Sequence, residues 1–424
     1  MMTGYLRAIA VSVLCCCVSQ SYGAEAPTSR PASADFTVAR AIEQAYDAGD
    51  AGSQILARVL VMYRSAAEDG HVGAMYRLGV CYHFGKGVDP QIAEARRWYE
   101  LAAWQGHRRA IELTTDYLVD EALGSSGDAQ VRAAKLLKDK CVPALRKLKS
   151  LGVAEGKLGY AFCQEFGLGG LEEDPAAALA CYRESAKAGH ERAIYELFGC
   201  YAGGRCGLKE DIAQSAAYLE AAAKAGYPEA QYDFAILSFT GQCGVKQDQA
   251  IVMPLLIKAA ESGVLKAIGT LAWMLHEGVG CKIDIDAAIV WARRGARMGD
   301  SESHSVLGQC YLNGLGGLKR DQFQAVQHFL QAEKTAKAWM LLGKCFQDGT
   351  GVDADQSEAV AWFTKAANAD NSEAQYLLGA GYDRGAFGLP KDPAKAVHWY
   401  IQAARGGRND AQKRLKELGV SWEK

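Results

Sequence analysis

An aspartate returns at one phase of a recurring unit along most of this chain: Asp174, Asp211, Asp248, Asp284, Asp321, Asp355 and Asp392. An aspartate ahead of an apolar stripe is a helix N-cap, because its carboxylate accepts from amides of the first turn that have no helical partner. The last unit shows the full pattern. Ala374, Leu378, Gly379 and Tyr382 fall on one arc of a helix at about 100° per residue. A turn from Gly385 to Gly388 follows, and Asp392-Pro393 restarts a second helix whose stripe is Ala396, Trp399, Ala403 and Ala404. Equivalent first residues lie at Ala154, Ala193, Ala230, Ala267, Ser303, Ala338 and Ala374. Steps of about 36 or 37 residues are the signature of stacked helix pairs. Neither helix can bury its stripe alone, so each pair must fold against its neighbours.

The predicted class is therefore all-α, a right-handed α-solenoid of helix-turn-helix repeats. No alternating run rich in Val, Ile and Thr competes with it. Arg7, the apolar run Ala8 to Val18 and the small residues Ser21 and Gly23 predict a signal peptide over 1–23. That run is too short to span a bilayer, which needs roughly 20 apolar residues. No transmembrane span is expected in the mature chain. A linker over 24–34, rich in Pro, Ser and Ala, leads to a degenerate repeat at 35–73 and a clear repeat at 74–109. Seven further repeats are expected over 154–410 and a cap helix over 411–424. Residues 110–153 break the pattern: the glycine turn is lost, Pro143 should kink the second helix, and Arg132, Lys135, Lys138, Lys140, Arg146, Lys147 and Lys149 make it basic. This helix is either a solvated face or a docking patch for an acidic partner or a membrane surface. Forty-seven basic residues against 49 acidic ones leave a net charge of −2, so there is no global field to hold nucleic acid.

The pattern resembles the Sel1-like repeat family, relatives of the tetratricopeptide repeats. The resemblance is carried by Leu78-Gly79 with Tyr82, Leu307-Gly308 with Tyr311 and Leu378-Gly379 with Tyr382. It is also carried by the turns Gly85-Lys-Gly87-Val88 and Gly349-Thr-Gly351-Val352, and by Ala95, Trp98 and Ala102-Ala103 or Ala359, Trp362 and Ala366-Ala367. It covers nearly everything from Asp35 onward. It implies a superhelix whose concave face binds proteins, in receptor regulation, secretion assembly or host contact. The sequence departs from the pattern at Phe198 in place of Gly, at Ser238 in place of Tyr, and after Ala332-Glu333.

The residues offer no catalytic set. Gly167-Leu-Gly169-Gly170 and Gly314-Leu-Gly316-Gly317 follow helices, not strands, and recur as turns, so they are not dinucleotide loops. His276-Glu277 lacks the second histidine of a zinc helix, and no Gly-x-Ser-x-Gly elbow occurs. No cofactor, metal or catalytic residue is expected. Ten cysteines follow the signal segment without a Cys-x-x-Cys. Most should be small buried hydrophobes. Cys181 and Cys200 climb to similar heights on neighbouring helices, and a disulfide between them is expected.

Projected on the helical wheel, the positions two, six and nine beyond the first residue of each unit point away from the buried stripe. They include Tyr76, Val80, His83, Tyr160, Tyr195, Tyr232, Ile236, Trp273, His276, Lys344, Tyr376 and Asp383. With first helices lining the inner surface, as the resemblance implies, these residues form the expected protein-binding face. Tyrosine and tryptophan suit this role because they offer large contact area with little rotamer freedom to lose. The expected function is an exported, non-catalytic scaffold, periplasmic or secreted in a bacterium and in the ER lumen or secretory pathway of a eukaryote. The alternative is an exported hydrolase acting on cell-wall or β-lactam-like substrates. Export makes a direct prediction: N-terminal sequencing of the mature protein should begin at Ala24, and retention of Met1 on the soluble protein would refute it.

Overall fold

A computed structural model describes residues 32–46 and 53–422. The predicted signal peptide and all but the last residues of the predicted linker lie outside them. Helix starts at Ala32, inside the stretch expected as linker. Among the described residues there is no strand. The described residues divide into two compact units, the first running to Phe234 with Gly241–Lys246 and the second holding Ala235–Thr240 with the chain from Gln247 onward.

In the first unit, α1 (Ala32–Tyr46) and α2 (Ser53–Glu68) form an opening pair, followed by α3 (Val72–Phe84) and α4 (Ile92–Trp104). The divergent segment holds α5 (Arg108–Gly124) and a second helix in two pieces, α6 (Asp128–Leu136) and α7 (Val142–Ser150). A single π-helical turn, Leu137–Cys141, joins the pieces just ahead of Pro143. A proline in a helix removes one backbone donor and crowds the preceding turn, and the wider π turn absorbs that conflict without breaking the rod. Regular pairs then follow: α8 (Ala154–Glu165) with α9 (Pro175–Lys187), and α10 (Glu191–Ala202) with α11 (Ile212–Ala225). The next first helix, α12 (Pro228–Thr240), passes from the first unit into the second.

In the second unit, α13 (Val252–Glu261) follows a 3₁₀ turn, Gln249–Ile251. Three regular pairs come next: α14 (Leu265–Glu277) with α15 (Ile285–Arg297), α16 (Ser301–Asn313) with α17 (Gln322–Gln331), and α18 (Ala336–Asp348) with α19 (Gln356–Asn368). The last pair is α20 (Ser372–Arg384) with α21 (Pro393–Arg405), closed by the cap helix α22 (Asn409–Glu417).

The capping aspartates do what their phase requires. Asp174 accepts from the Ala177 amide at 2.9 Å, Asp211 from Gln214 at 2.9 Å, Asp392 from Lys395 at 3.0 Å, and Asp355 from both Ser357 and Glu358. Gln91, which stands in for aspartate ahead of α4, makes no such bond. First helices have caps of their own: the Nδ1 atoms of His71 and His107 accept from Ala74 and Ala110. The first helices α3, α14, α16, α18 and α20 end on a left-handed glycine, as at Gly85 (φ 67°), and α8 and α10 reach theirs one residue later, at Gly167 and Gly204. Two residues beyond Gly85, Gly87 (φ 75°) presses its backbone against α2, where a Cβ would lie 2.4 Å from Leu56. The turn of one repeat thus seats on the second helix of the repeat before it, and glycine is required there for both conformation and space.

The seam between paired helices is filled one residue later than the recurring tryptophan suggests. Trp98, Trp362 and Trp399 are only partly buried, whereas their neighbours Tyr99, Phe363 and Tyr400 are at most 2 % exposed. These rings lie on the helical glycines of the facing first helix. A Cβ on Gly79 would sit 2.7 Å from Tyr99, on Gly308 2.5 Å from Phe329, on Gly343 2.6 Å from Phe363, and on Gly379 2.7 Å from Tyr400. Where the glycine is replaced, the facing residue changes with it: Phe198 belongs to the repeat in which Leu219 is buried, and Ala272 to that of Ala292.

Gly343→Ala tests this packing. Alanine should gain up to about 1 kcal/mol in helix propensity, but overpacking against a buried ring costs about 1–3 kcal/mol. The expected outcome is a lower melting temperature, and an unchanged or raised one would refute the close-packed seam.

Candidate docking face

In both units, where helices that are not consecutive in the chain approach closely, they are first helices of successive repeats: α5 with α8, α14 with α16, and α16 with α18. First helices therefore form the crowded layer of each unit. Side chains on that layer can reach past a neighbour. Arg192 of α10 bonds Asp116 of α5, and on the way its guanidinium lies over the Phe162 ring of α8, 5.0 Å from the centroid. In the second unit, Lys337 of α18 meets Glu277 of α14 at 2.7 Å, past the intervening α16.

The residues expected on the binding face lie on this layer, and none of the aromatic ones is fully exposed. Tyr76 stacks on His107 with centroids 4.4 Å apart. The His83 ring nitrogen meets the Tyr117 hydroxyl at 3.0 Å, and burial, with Arg96 nearby, pushes its pKa down. Lys149 sits over Tyr160 at 4.3 Å. Tyr195 donates to Asp233 at 2.6 Å and packs on Phe198 and Tyr227. His276 meets Glu277 at 2.8 Å, Lys344 bonds Glu373, and Asp383 is held by Arg414 at 2.8 Å. Tyr376 packs against Tyr400 and under Arg408. Tyr232, Ile236 and Trp273 are half-buried. Val80 is buried, so it belongs to the core and not to the face.

Sequence reasoning missed the most concentrated chemistry of this layer. Glu112 and Asp116 of α5, Glu165 of α8, and Arg192 and Glu196 of α10 come together with Arg205 from the following turn. Glu112 is almost wholly buried, with Arg109 at 3.0 Å and His190 at 3.8 Å. Burial resists ionisation of Glu165, yet two 2.7 Å bonds from Arg205 and one from Tyr182 hold it below the carboxylate range. Burial prevails at Asp116 and Glu196, pushing them up to about 6 and about 7 against the pull of Arg192. The available signal was Asp116 and Glu196 at helix positions flanked by apolar residues. Their meeting depends on curvature, which no single repeat encodes.

The basic helix is less bare than its sequence. Arg132 is paired with Glu100 at 3.0 Å and Glu121 at 3.6 Å, both from neighbouring helices. Lys135, Lys138, Lys140, Arg146 and Lys147 remain exposed. The expected Cys181–Cys200 bridge is not formed in this structure. Neither cysteine is in a disulfide, and the sulfur beside Cys200 belongs to Cys206, 3.8 Å away. Cys206 lies on the turn that follows α10. Among the described residues, no group of three or more His, Cys, Asp and Glu side chains is placed to hold a metal, and no helix is long and apolar enough to cross a membrane.

The family model for the Sel1 repeat matches eight segments: 72–107, 153–190, 192–227, 228–264, 269–300, 301–334, 336–371 and 372–407. These make up more than half of the chain, which belongs to the Sel1 repeat family. Among solved structures, it is similar to a protective antigen of uropathogenic Escherichia coli that displays an SLR fold. That match has 23% identity and a TM-score of 0.47, and it covers 96% of this chain and 92% of that one. A Sel1 repeat protein from Oxalobacter formigenes is 26% identical with a TM-score of 0.46, over 62% of this chain and 99% of that one. An immunity protein from Pseudomonas aeruginosa is 17% identical with a TM-score of 0.36, over 55% and 83%. The repeat fold is typical of protein-interaction scaffolds.

The carboxyl groups of the cluster give the layer a pH dependence. A carboxyl whose pKa is higher in the folded state contributes stability below that pKa and loses it as pH rises through the window, here from about 4.5 to about 7 for Glu196. Glu196→Gln cannot ionise but keeps a hydrogen-bonding amide toward Arg192 and Arg205. It should match the parent near the lower end of that window and be more stable by about 1–2 kcal/mol above the upper end, read by thermal melts across pH. Equal melting curves at every pH would refute the buried-carboxyl reading.

Proposed function

We propose that this protein is an exported, non-catalytic scaffold that binds partner proteins on the first-helix layer, the concave face of its repeats. The single observation that carries the proposal is the set of half-buried aromatic rings on that layer in each unit, among them Tyr76, Tyr195 and Tyr376, which are packed against neighbouring rings. Rings already ordered by neighbours lose little freedom when a partner covers them, which is how interface anchors gain affinity. The chain's net charge of −2 and the shielding of Arg132 by Glu100 and Glu121 favour a protein partner over nucleic acid. Envelope signalling, secretion assembly or host contact are the roles that fit an exported repeat protein of this family. Nothing in the fold or the comparisons supports the hydrolase alternative.

Tyr195 is unsuitable as a neutral probe, because its hydroxyl bond to Asp233 and its packing on Phe198 and Tyr227 tie it to the fold. Tyr232→Ala and Trp273→Ala are better probes. The experiment captures partners from the native envelope on the mature chain, identifies them by mass spectrometry, and titrates the purified partner against each variant. Loss of a typical anchor should weaken binding by about tenfold or more, or about 1.4 kcal/mol. The outer-face variant Phe323→Ala should bind like the parent; that side chain is exposed. Undiminished binding by both inner-face variants, with loss on neutralising Arg146 and Lys147, would move the site to the basic helix.

A further inference from the structure

The turn that follows each first helix carries a residue with positive φ two places beyond its first left-handed glycine: Gly87 and Gly351 at 75°, Cys206 at 56° and Phe387 at 60°. This region suits glycine, and a side chain there is held against a conformational preference. At Cys206 and Phe387 the side chain turns back onto the first helix, six residues earlier in the chain. In the last repeat, Phe387 covers Gly381: a Cβ on that glycine would lie 3.0 Å from the ring. In the α10–α11 repeat both positions are cysteine. Their sulfurs, on Cys200 and Cys206, lie 3.8 Å apart. Cys200 is fully buried and Cys206 is 8 % exposed, so solvent reaches the pair only from the turn side.

We propose that Cys200 and Cys206 are a redox modification site that closes to an intramolecular disulfide by exchange with a low-molecular-weight disulfide. The sulfurs already touch, and a bond of about 2.05 Å requires a further approach of less than about 2 Å, within reach of side-chain rotation and a small shift of the turn. The Cys206 thiolate, at the rim, attacks one sulfur of the oxidant and expels the first thiolate, leaving a mixed disulfide. The Cys200 thiolate then attacks the Cys206 sulfur and expels the second. The two protons of the protein thiols end on the two released thiols, so the protein is oxidised by two electrons and the oxidant reduced by two. The contact with Cys206, and after it the Arg205 guanidinium anchored on Glu165, favour the thiolate of Cys200, whereas the same contact and burial push the Cys206 thiol up, so the first attack is the slower step. Cys243 occupies the equivalent turn position of the next repeat, but six residues before it stands Leu237, so that repeat has no partner sulfur to offer.

This site differs from a bridge between repeats, since it lies wholly within one turn and the helix that enters it. Arg205 stands between the two cysteines, which makes the bond directly readable. Trypsin cuts after Arg192, Arg205 and Lys209, giving one peptide over 193–205 and another over 206–209, each with a single cysteine. The full chain is equilibrated with oxidised and reduced glutathione at a series of ratios, alkylated and digested without reductant. The expected result is a disulfide-linked pair of these two peptides that rises with the oxidised fraction, and a melting temperature that rises with it. Cys206→Gly, which restores the residue found in other repeats at this position, should fold and lose both effects. Both thiols alkylated at every ratio, either cysteine linked to a different peptide, or a lasting glutathione adduct on Cys206 would each overturn the proposal.

Discussion

The contact of a second-helix ring with a first-helix glycine sets the geometry of each repeat in which it occurs. With a Cβ 2.5 to 2.7 Å from Tyr99, Phe329, Phe363 or Tyr400, the helices could not close to their present distance. A large flat ring on bare backbone brings two helix axes closer than two medium side chains would. It also fixes their rotation, since only the glycine face of the first helix can accept the ring. The remaining first-helix positions are then assigned by default: alanine and leucine toward the neighbouring repeat, tyrosine and charged residues toward the open side. The aspartate caps and turn glycines fix where each helix starts and stops, but the ring on glycine decides which way it faces.

Crowding among the first helices follows from seating each turn on the preceding second helix, as Gly87 does on Leu56. A layer in which helices draw together must absorb the side chains that would otherwise point into open space. Long polar side chains do this best, because they can lie flat along a neighbour and reach a partner beyond it. Arg192 over Phe162 to Asp116, and Lys337 past α16 to Glu277, are the two clearest cases. The ion pairs are a consequence of curvature, and they also oppose further closing, since the groups they bury carry charge that must stay paired.

The repeat period, the helix order, the caps and the glycine turns were legible in the sequence because each depends on residues near one another in the chain. Asp355 and Gly85 announce themselves by type and phase alone. The seam residue was misplaced by one position because the recurring tryptophan was read as the filler, although at about 100° per residue Phe363 lies nearer the centre of the Ala359, Ala366 and Ala367 stripe than Trp362 does. Which of them points inward depends on the glycine it must meet across the seam. The basic helix looked unpaired because Glu100 and Glu121 come from other helices. The approach of Cys206 to Cys200 was not foreseen, because height along packed helices ignores the turn: a left-handed residue at Cys206 directs its side chain back onto α10. Local chemistry could be read from the sequence, and meetings across curvature could not.

The intramolecular ties of the inner layer bear on how it can bind. A partner that takes the Asp233 carboxylate must replace the Tyr195 hydroxyl, and one hydrogen bond exchanged for another is worth only about 1 kcal/mol net. Polar groups already satisfied within the layer therefore add selectivity more than affinity. On the proposed reading, affinity would come from covering ring faces that are half-open now, such as those of Tyr232 and Trp273, where apolar area is removed from water with little ordering still to be lost. A face built this way favours partners that present apolar side chains between polar ones at the spacing of successive first helices. It also penalises partners with a buried charge opposite the carboxylate cluster unless that charge is positive. Selectivity in such a scaffold would lie in the arrangement of repeats, because the place of each anchor is set by how its first helix packs within its own repeat.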